Sequence, residues 1–189
     1  MITQCFDLPV LDWIAEHWHC RILDALMPPI THLGDGGITW ILLAGILLCL
    51  PKYRKTGLAM GIALALGLVV CNLVLKPAVG RIRPFAYQLH HFNRVIPLLI
   101  SAPTDASFPS GHTIASFEAA TVLLLRNKKW GSVALVIASL IAFSRLYLYV
   151  HYPSDVISSI LLGGLIGFTA HLIVNKGNAL YHKRKTNTH

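Results

Sequence analysis

Between two long apolar segments the chain reads Ser144-Arg145-Leu146-Tyr147-Leu148-Tyr149-Val150-His151-Tyr152-Pro153-Ser154-Asp155. Ionisable side chains beside lipid are costly and usually serve a function. His151 is followed four residues on by Asp155, and such a carboxylate can hold an imidazole in one tautomer with its free nitrogen aimed at a substrate. Arg145 adds a planar fork suited to a phosphate or a carboxylate. The alternative is an interfacial cluster snorkelling to lipid headgroups. Two upstream stretches bear on the choice. Pro109-Ser110-Gly111-His112 opens an apolar segment. Serine and glycine at a helix start leave backbone N–H groups free at the positive end of the dipole, where a phosphoryl group can bind. The plainer alternative there is an ordinary serine N-cap. Lys76 and Arg83-Pro84 bracket Pro77 and Gly80, so an irregular path is expected between them. Lys76 alone reads as a snorkelling cation, whereas Arg81 with Arg83 suggests bidentate oxyanion binding.

Such groups must be positioned by something, and the composition points to a membrane bundle. Of 189 residues, 54% are hydrophobic and 13% charged, and the mean hydropathy is +0.60. Soluble domains carry about 25% charged residues. The expected fold is all-α, a multi-span transmembrane helix bundle of about five spans, forming one domain over residues 1–189. The spans are expected near residues 38–50, 56–75, 110–126, 133–149 and 155–174; the first is short and would borrow residues from the break before it, and the others approach the length that a bilayer core of about 30 Å requires. Residues 1–33 alternate acidic, aromatic and aliphatic positions, as an amphipathic helix at the interface would, stopped by Pro28-Pro29; a helix partly buried against the bundle fits as well. Asp7, Asp12, Glu16, Arg21 and Asp24 replace the apolar core of a cleavable leader, so none is expected. Gly34-Asp35-Gly36-Gly37 reads as a break. Residues 76–109 form a long connection with no long apolar run of its own, and connections of that length are usually functional. Gly163 and Gly167 make a small-xxx-small pair for close helix packing.

Charge sets the orientation. Lys52, Arg54 and Lys55, then Arg126, Lys128 and Lys129, then the basic tail 176–189 fall on one side if the spans alternate, and that side is expected to be cytoplasmic. The opposite face nevertheless carries Lys76, Arg81, Arg83, Arg94 and Arg145. Cations on that face make sense if they hold an anionic ligand. The formal charge of +8 therefore points to anionic lipid or a phosphorylated substrate rather than to nucleic acid. Cys5, Cys20, Cys49 and Cys71 lack paired spacing, and Cys49 and Cys71, inside apolar spans, read as packing residues rather than disulfides or ligands. His17-Trp18-His19 and His90-His91 could be metal ligands, but without a carboxylate or cysteine partner they fit better in an aromatic belt with Phe85, Tyr87 and Phe92.

The spacing Lys76-x6-Arg83-Pro84, the block Pro109-Ser110-Gly111-His112 and the block Ser144-Arg145-x5-His151-x3-Asp155 resemble, complete and in order, the three signature motifs of the type-2 phosphatidic acid phosphatase superfamily. The resemblance implies a membrane-embedded lipid phosphate phosphatase that needs no metal or other cofactor. It implies His151 as nucleophile through a phosphohistidine, Asp155 as its orienting partner and His112 as proton donor and then base. It implies Lys76, Arg83, Ser110, Gly111 and Arg145 as holders of the phosphoryl oxygens, supported by Ser144, Pro84 and Pro109. Arg81 and Arg94 lie outside the motifs and are candidates for a second phosphate or headgroup. The expected setting is the plasma membrane, with an outward-facing site working on a lipid phosphate. A polyprenyl diphosphate carrier such as undecaprenyl diphosphate is favoured over phosphatidic acid or phosphatidylglycerol phosphate. The apolar run Val95-Ile96-Pro97-Leu98-Leu99-Ile100 is expected to line the path of the lipid tail or to pack on the bundle. An anion transporter would need charges at mid-depth, where the spans are nearly clean. A haloperoxidase-like oxidation has no halide site to support it. The oligomeric state is left open.

Overall fold

A computed structural model describes the backbone of residues 3–186 and the side chains of residues 3–177, and among these every regular element is helical. A π-helical turn, Thr3–Asp7, leads into α1 (Leu8–His17), followed by α2 (Arg21–His32) and, after a 3₁₀ turn at Asp35–Gly37, α3 (Ile38–Cys49). Next, α4 (Arg54–Leu68) runs through a π-helical stretch, Val69–Leu75, into the single turn α5 (Lys76–Val79). Then come α6 (Pro84–Phe92), α7 (Gly111–Arg126), α8 (Lys128–Tyr147) and α9 (Pro153–Thr186).

The centre of the bundle is α7, enclosed by α4, α8 and α9. Small residues decide how closely these helices approach. A Cβ at Gly163 would lie 2.8 Å from the Ile114 carbonyl oxygen, and one at Gly167 would lie 2.5 Å from that of Glu118. The small-xxx-small pair of α9 is thus seated directly on the backbone of α7, where dispersion and close packing replace a hydrophobic driving force. Gly131 of α8 lies on Leu124 in the same way, and Gly57 of α4 on Ala44 and Leu48 of α3.

Three helical stretches, within Arg54–Phe92, Lys128–Tyr147 and Pro153–Gly177, are long and apolar enough to cross a membrane. The bent pair α2–α3, with 43° between its halves, makes a fourth if counted as one crossing. The helix α3 alone has 12 residues, about 18 Å at 1.5 Å per residue, so the span expected at residues 38–50 needs its partner. The remaining expected span, α7, has 16 residues, about 24 Å.

Two expectations about loops change. Residues 3–33 form two helices packed on the end of α8, so the partly buried alternative holds. Ile14 and Met27 meet Tyr147, Leu148 and Val150, while Leu8 and Leu11 meet Tyr149 and Tyr152. Pro28 and Pro29 do not stop α2, which continues to His32. It is anchored through buried Met27 and Thr31, and the chain turns at the glycines that follow. The long connection 76–109 is partly helical: Lys76 starts α5, Gly80 at φ +57° breaks it, and Pro84 starts α6 in the N1 position that suits proline. Of the basic tail, the side chains beyond Gly177 lie outside the described residues.

Candidate active site

The ends of α2, α5, α7, α8 and α9 converge. The loop after α8 places His151, which is 1% exposed, through backbone N–H groups of Val150 and His151 that both donate to the Arg145 carbonyl. Nη1 of Arg83 lies 3.2 Å from His151 Nε2. An arginine N–H can only donate, so Nε2 is the acceptor and the ring proton belongs on Nδ1. That nitrogen faces Asp155, with Oδ2 at 3.6 Å. Burial pushes the His151 pKa down to about 3; Asp155 opposes this, and Arg145 and Arg83 add to it. The imidazole is therefore neutral, with its lone pair directed at the guanidinium that a phosphoryl group would share.

Asp155 is fully buried and held from several sides. Oδ2 accepts from Ser107 Oγ at 2.5 Å and from the Tyr152 N–H at 3.1 Å, and Oδ1 from Arg81. Arg81 also donates to Asp7 Oδ2 at 2.7 Å and Ser154 Oγ at 2.8 Å, with its Cζ 3.9 Å from the centre of the Tyr152 ring. Arg81 is thus a brace behind Asp155, bridging two buried carboxylates, rather than a free cation for a second phosphate. Arg94, the other candidate for that role, is paired with Asp12 at 2.9 Å on the surface.

The phosphate-binding candidates separate by exposure. Arg83, 5% exposed, donates from Nε to the Asp105 carbonyl at 2.9 Å and from Nη2 to Asp105 Oδ1 at 2.6 Å. Lys76 takes the other carboxylate oxygen. Burial would raise the Asp105 pKa, but hydrogen bonds from Lys76 and Arg83, and their charges, hold it well below the usual carboxylate range. An ionised carboxylate therefore sits on the two cations of the first motif. Arg145 is 3% exposed. Its Nη1 donates to Thr31 Oγ1 at 2.6 Å, while Nε has no partner among the described residues.

At the start of α7, Ser110 is fully buried. Its Oγ accepts from Thr113 Oγ1 at 2.9 Å, and its N–H donates to Ser159 Oγ at 2.9 Å. The hydroxyl acts as a helix cap, so of this block it is Gly111 and His112 that line the cavity. Ser144 is also fully buried and donates to the Ile141 carbonyl. Pro84 fixes the start of α6 behind Arg83, and Pro109 follows a cis peptide.

A cavity of about 1270 Å³ opens from this cluster. Lys76, Arg83, His112 and Arg145 line one end, and it continues between α3, α4 and α7 past Gly61, Leu64 and Gly45. Leu98, Leu99 and Ile100 lie on its wall, and Ile96 and Leu98 also pack on the bundle, so the apolar run is packed on the bundle and part of it also lines the cavity. His151 lies behind Arg83 and does not line the cavity. Several participants carried no motif: Asp105, Asp7, Ser107, Ser159 and Asp35, whose Oδ1 is 2.7 Å from His112 Nε2. The glycines flanking Asp35 were the available signal, and they read only as a break. Among the described residues no group of three or more His, Cys, Asp or Glu is placed to hold a metal ion.

The sequence model of the PAP2 superfamily matches residues 56–179. An undecaprenyl-diphosphatase of Sulfolobus acidocaldarius is 36% identical over 139 residues, covering 73% of this chain and 65%, just under two thirds, of that protein. Undecaprenyl-diphosphatase BcrC of Bacillus subtilis is 35% identical over 150 residues, covering 79% and 74%. The crystal structure of a transmembrane PAP2-type phosphatidylglycerolphosphate phosphatase from Bacillus subtilis superposes with a TM-score of 0.70 at 26% identity, covering 92% of this chain and 87% of that one.

Proposed function

The chain belongs to the PAP2 superfamily, and from that premise we propose that it is a multi-pass membrane phosphatase removing the terminal phosphate of a polyprenyl diphosphate such as undecaprenyl diphosphate. The observation that carries this reading is the placement of Arg83 between the lone pair of a neutral His151 and an anion position now taken by Asp105. The relatives named for undecaprenyl diphosphate support the substrate, and so does a long cavity that leads away from the cations into the bundle.

In the proposed reaction Lys76, Arg83, Arg145 and the Gly111 N–H hold the phosphoryl oxygens. His151 Nε2 attacks phosphorus in line while Asp155 stabilises the proton on Nδ1. His112 protonates the leaving oxygen and then takes a proton from the water that hydrolyses the phosphohistidine. Little covalent chemistry is asked of the remaining groups; they position and neutralise charge. The basic turns at residues 51–55 and 126–129 lie at the far ends of α4 and α7 from the site, which supports an extracytoplasmic site by the positive-inside tendency.

The test is phosphate release by the purified full chain, with EDTA present, from undecaprenyl diphosphate, phosphatidic acid and phosphatidylglycerol phosphate. Preference for the diphosphate is expected. Activity that requires added Mg²⁺ would contradict the proposed chemistry, and preference for either glycerophospholipid would overturn the substrate.

A further inference from the structure

The break at Gly34-Asp35-Gly36-Gly37 is built around His112. Gly36 and Gly37 have φ of +56° and +67°, a conformation that costs glycine little. The turn they make brings an aspartate to an imidazole 77 residues further along the chain. Asp35 Oδ1 lies 2.7 Å from His112 Nε2, and Oδ2 lies 2.7 Å from His32 Nδ1. Gly34 lies against the ring itself: a Cβ there would be 2.8 Å from His112 Cδ2 and 2.9 Å from Ile141 Cγ2. Glycine is thus needed at this position for the imidazole to fit. Asp35, His32 and Gly34 all line the same cavity as His112.

We infer that Asp35 is a positioning residue for His112 in the phosphatase reaction, with His32 as the outer member of a His32–Asp35–His112 chain at the cavity mouth. The inference rests on the proposed role of His112. An ionised carboxylate only accepts hydrogen bonds, so His112 Nε2 carries a proton and Nδ1 is the nitrogen that exchanges one with substrate. As His151 Nε2 forms its bond to phosphorus, the phosphorus–oxygen bond breaks and its electron pair stays on the leaving oxygen, which takes the Nδ1 proton. The neutral His112 then accepts at Nδ1 a proton of the attacking water. The water oxygen bonds to phosphorus, and the N–P electron pair returns to His151. Burial disfavours the imidazolium that must exist before transfer, and so do the nearby cations Arg145 and Lys76. Asp35, itself shared with His32, is the negative group in contact with the ring that favours it.

The test compares kcat/KM, which sets the free enzyme against the transition state, on two phosphate esters. A short-chain phosphatidic acid releases diacylglycerol, whose alkoxide needs a proton; 4-nitrophenyl phosphate releases a stable phenolate. Asp35→Asn is expected to lower kcat/KM on the lipid by about 10- to 100-fold, part of the roughly 10²- to 10⁴-fold that a general acid supplies, and on the aryl ester by under about threefold. Asp35→Glu is expected to recover part of the loss on the lipid. The ratio between substrates does not depend on how much protein is folded. Equal losses on both esters, or no loss on either, would overturn the inference. Turnover at the wild-type rate in His151→Ala or His112→Ala would instead overturn the catalytic reading. Strongly impaired histidine variants beside an Asp35→Asn variant with wild-type kcat/KM on both esters would sink the positioning role alone.

Discussion

The two imidazoles of the site, each paired with an aspartate, stand in opposite surroundings. His151 and Asp155 are 1% and 0% exposed, and Asp155 is gripped by Ser107, the Tyr152 N–H and Arg81. For the other pair, the side chains of His112 and Asp35 are 21% and 50% exposed and stand at the mouth of the cavity. A nucleophile must be held on one line and kept neutral, and burial provides both. An acid that gives up a proton and later takes one from water must stay in reach of water. In the proposed reaction the same residue pair serves two tasks through its environment, as neighbouring groups with divergent surroundings do in other acid–base sites.

That contrast can be broken most directly at the histidines. His151→Ala is expected to abolish phosphate release, by on the order of 10⁴-fold or more. His112→Ala is expected to leave a measurable remainder, with a loss of about 10²- to 10⁴-fold. Steady-state release from undecaprenyl diphosphate measures both, and equal residual rates would remove the distinction. Next comes the brace behind the nucleophile. Arg81→Ala leaves Asp7 and Asp155 buried without their shared cation, and breaking a buried pair in this way costs roughly 3–5 kcal/mol. A fall in thermal unfolding temperature in detergent should accompany the loss of activity. Arg94→Ala removes a surface pair worth about 0–1 kcal/mol and should leave the unfolding temperature nearly unchanged.

Asp105 gives a smaller effect of the opposite sign. Its carboxylate occupies Lys76 and Arg83, so in the proposed reaction a phosphate displaces it. Asp105→Asn is expected to tighten inhibition by inorganic phosphate by about tenfold, the scale of one unit charge at a partly solvated distance. Weaker inhibition would show that Asp105 orders the cations instead of competing for them. Between pH 7 and 5 no change is expected at His151, because its pKa is depressed to about 3 from 6.5. The unfolded chain binds that proton first, so stability present above about pH 6.5 is lost progressively as pH falls towards 3, while the folded ring stays neutral. The ¹⁵N shifts of the labelled His151 ring in micelles check this, and protonation at pH 5 would contradict it.

Much of the proposed nucleophilic half was legible because its residues are close in sequence: His151 and Asp155 are four residues apart, and Arg145 precedes His151 by six. The acidic partners were not legible. Asp35 meets His112, Asp105 meets Lys76, and Asp7 meets Arg81 only once distant helix ends are packed together, and a lone aspartate between glycines carries no local pattern that says so. Arg81 looked like an anion ligand for the same reason, since its carboxylates come from residues 7 and 155. Ser110 fits both a phosphate ligand and a helix cap by type. Its hydrogen bonds to Thr113 and Ser159, invisible in the sequence, place it as a cap. The proline pair in α2 misled because local breaking tendency was outweighed by the packing of that helix on α8.

The most direct test is to quench the purified enzyme within milliseconds of mixing with a diphosphate labelled in its terminal phosphate, then map the labelled residue by mass spectrometry. An acid-labile, alkali-stable phosphate on His151, absent in His151→Ala, is the expected result. Label on any other residue, or full turnover in His151→Ala, would contradict it.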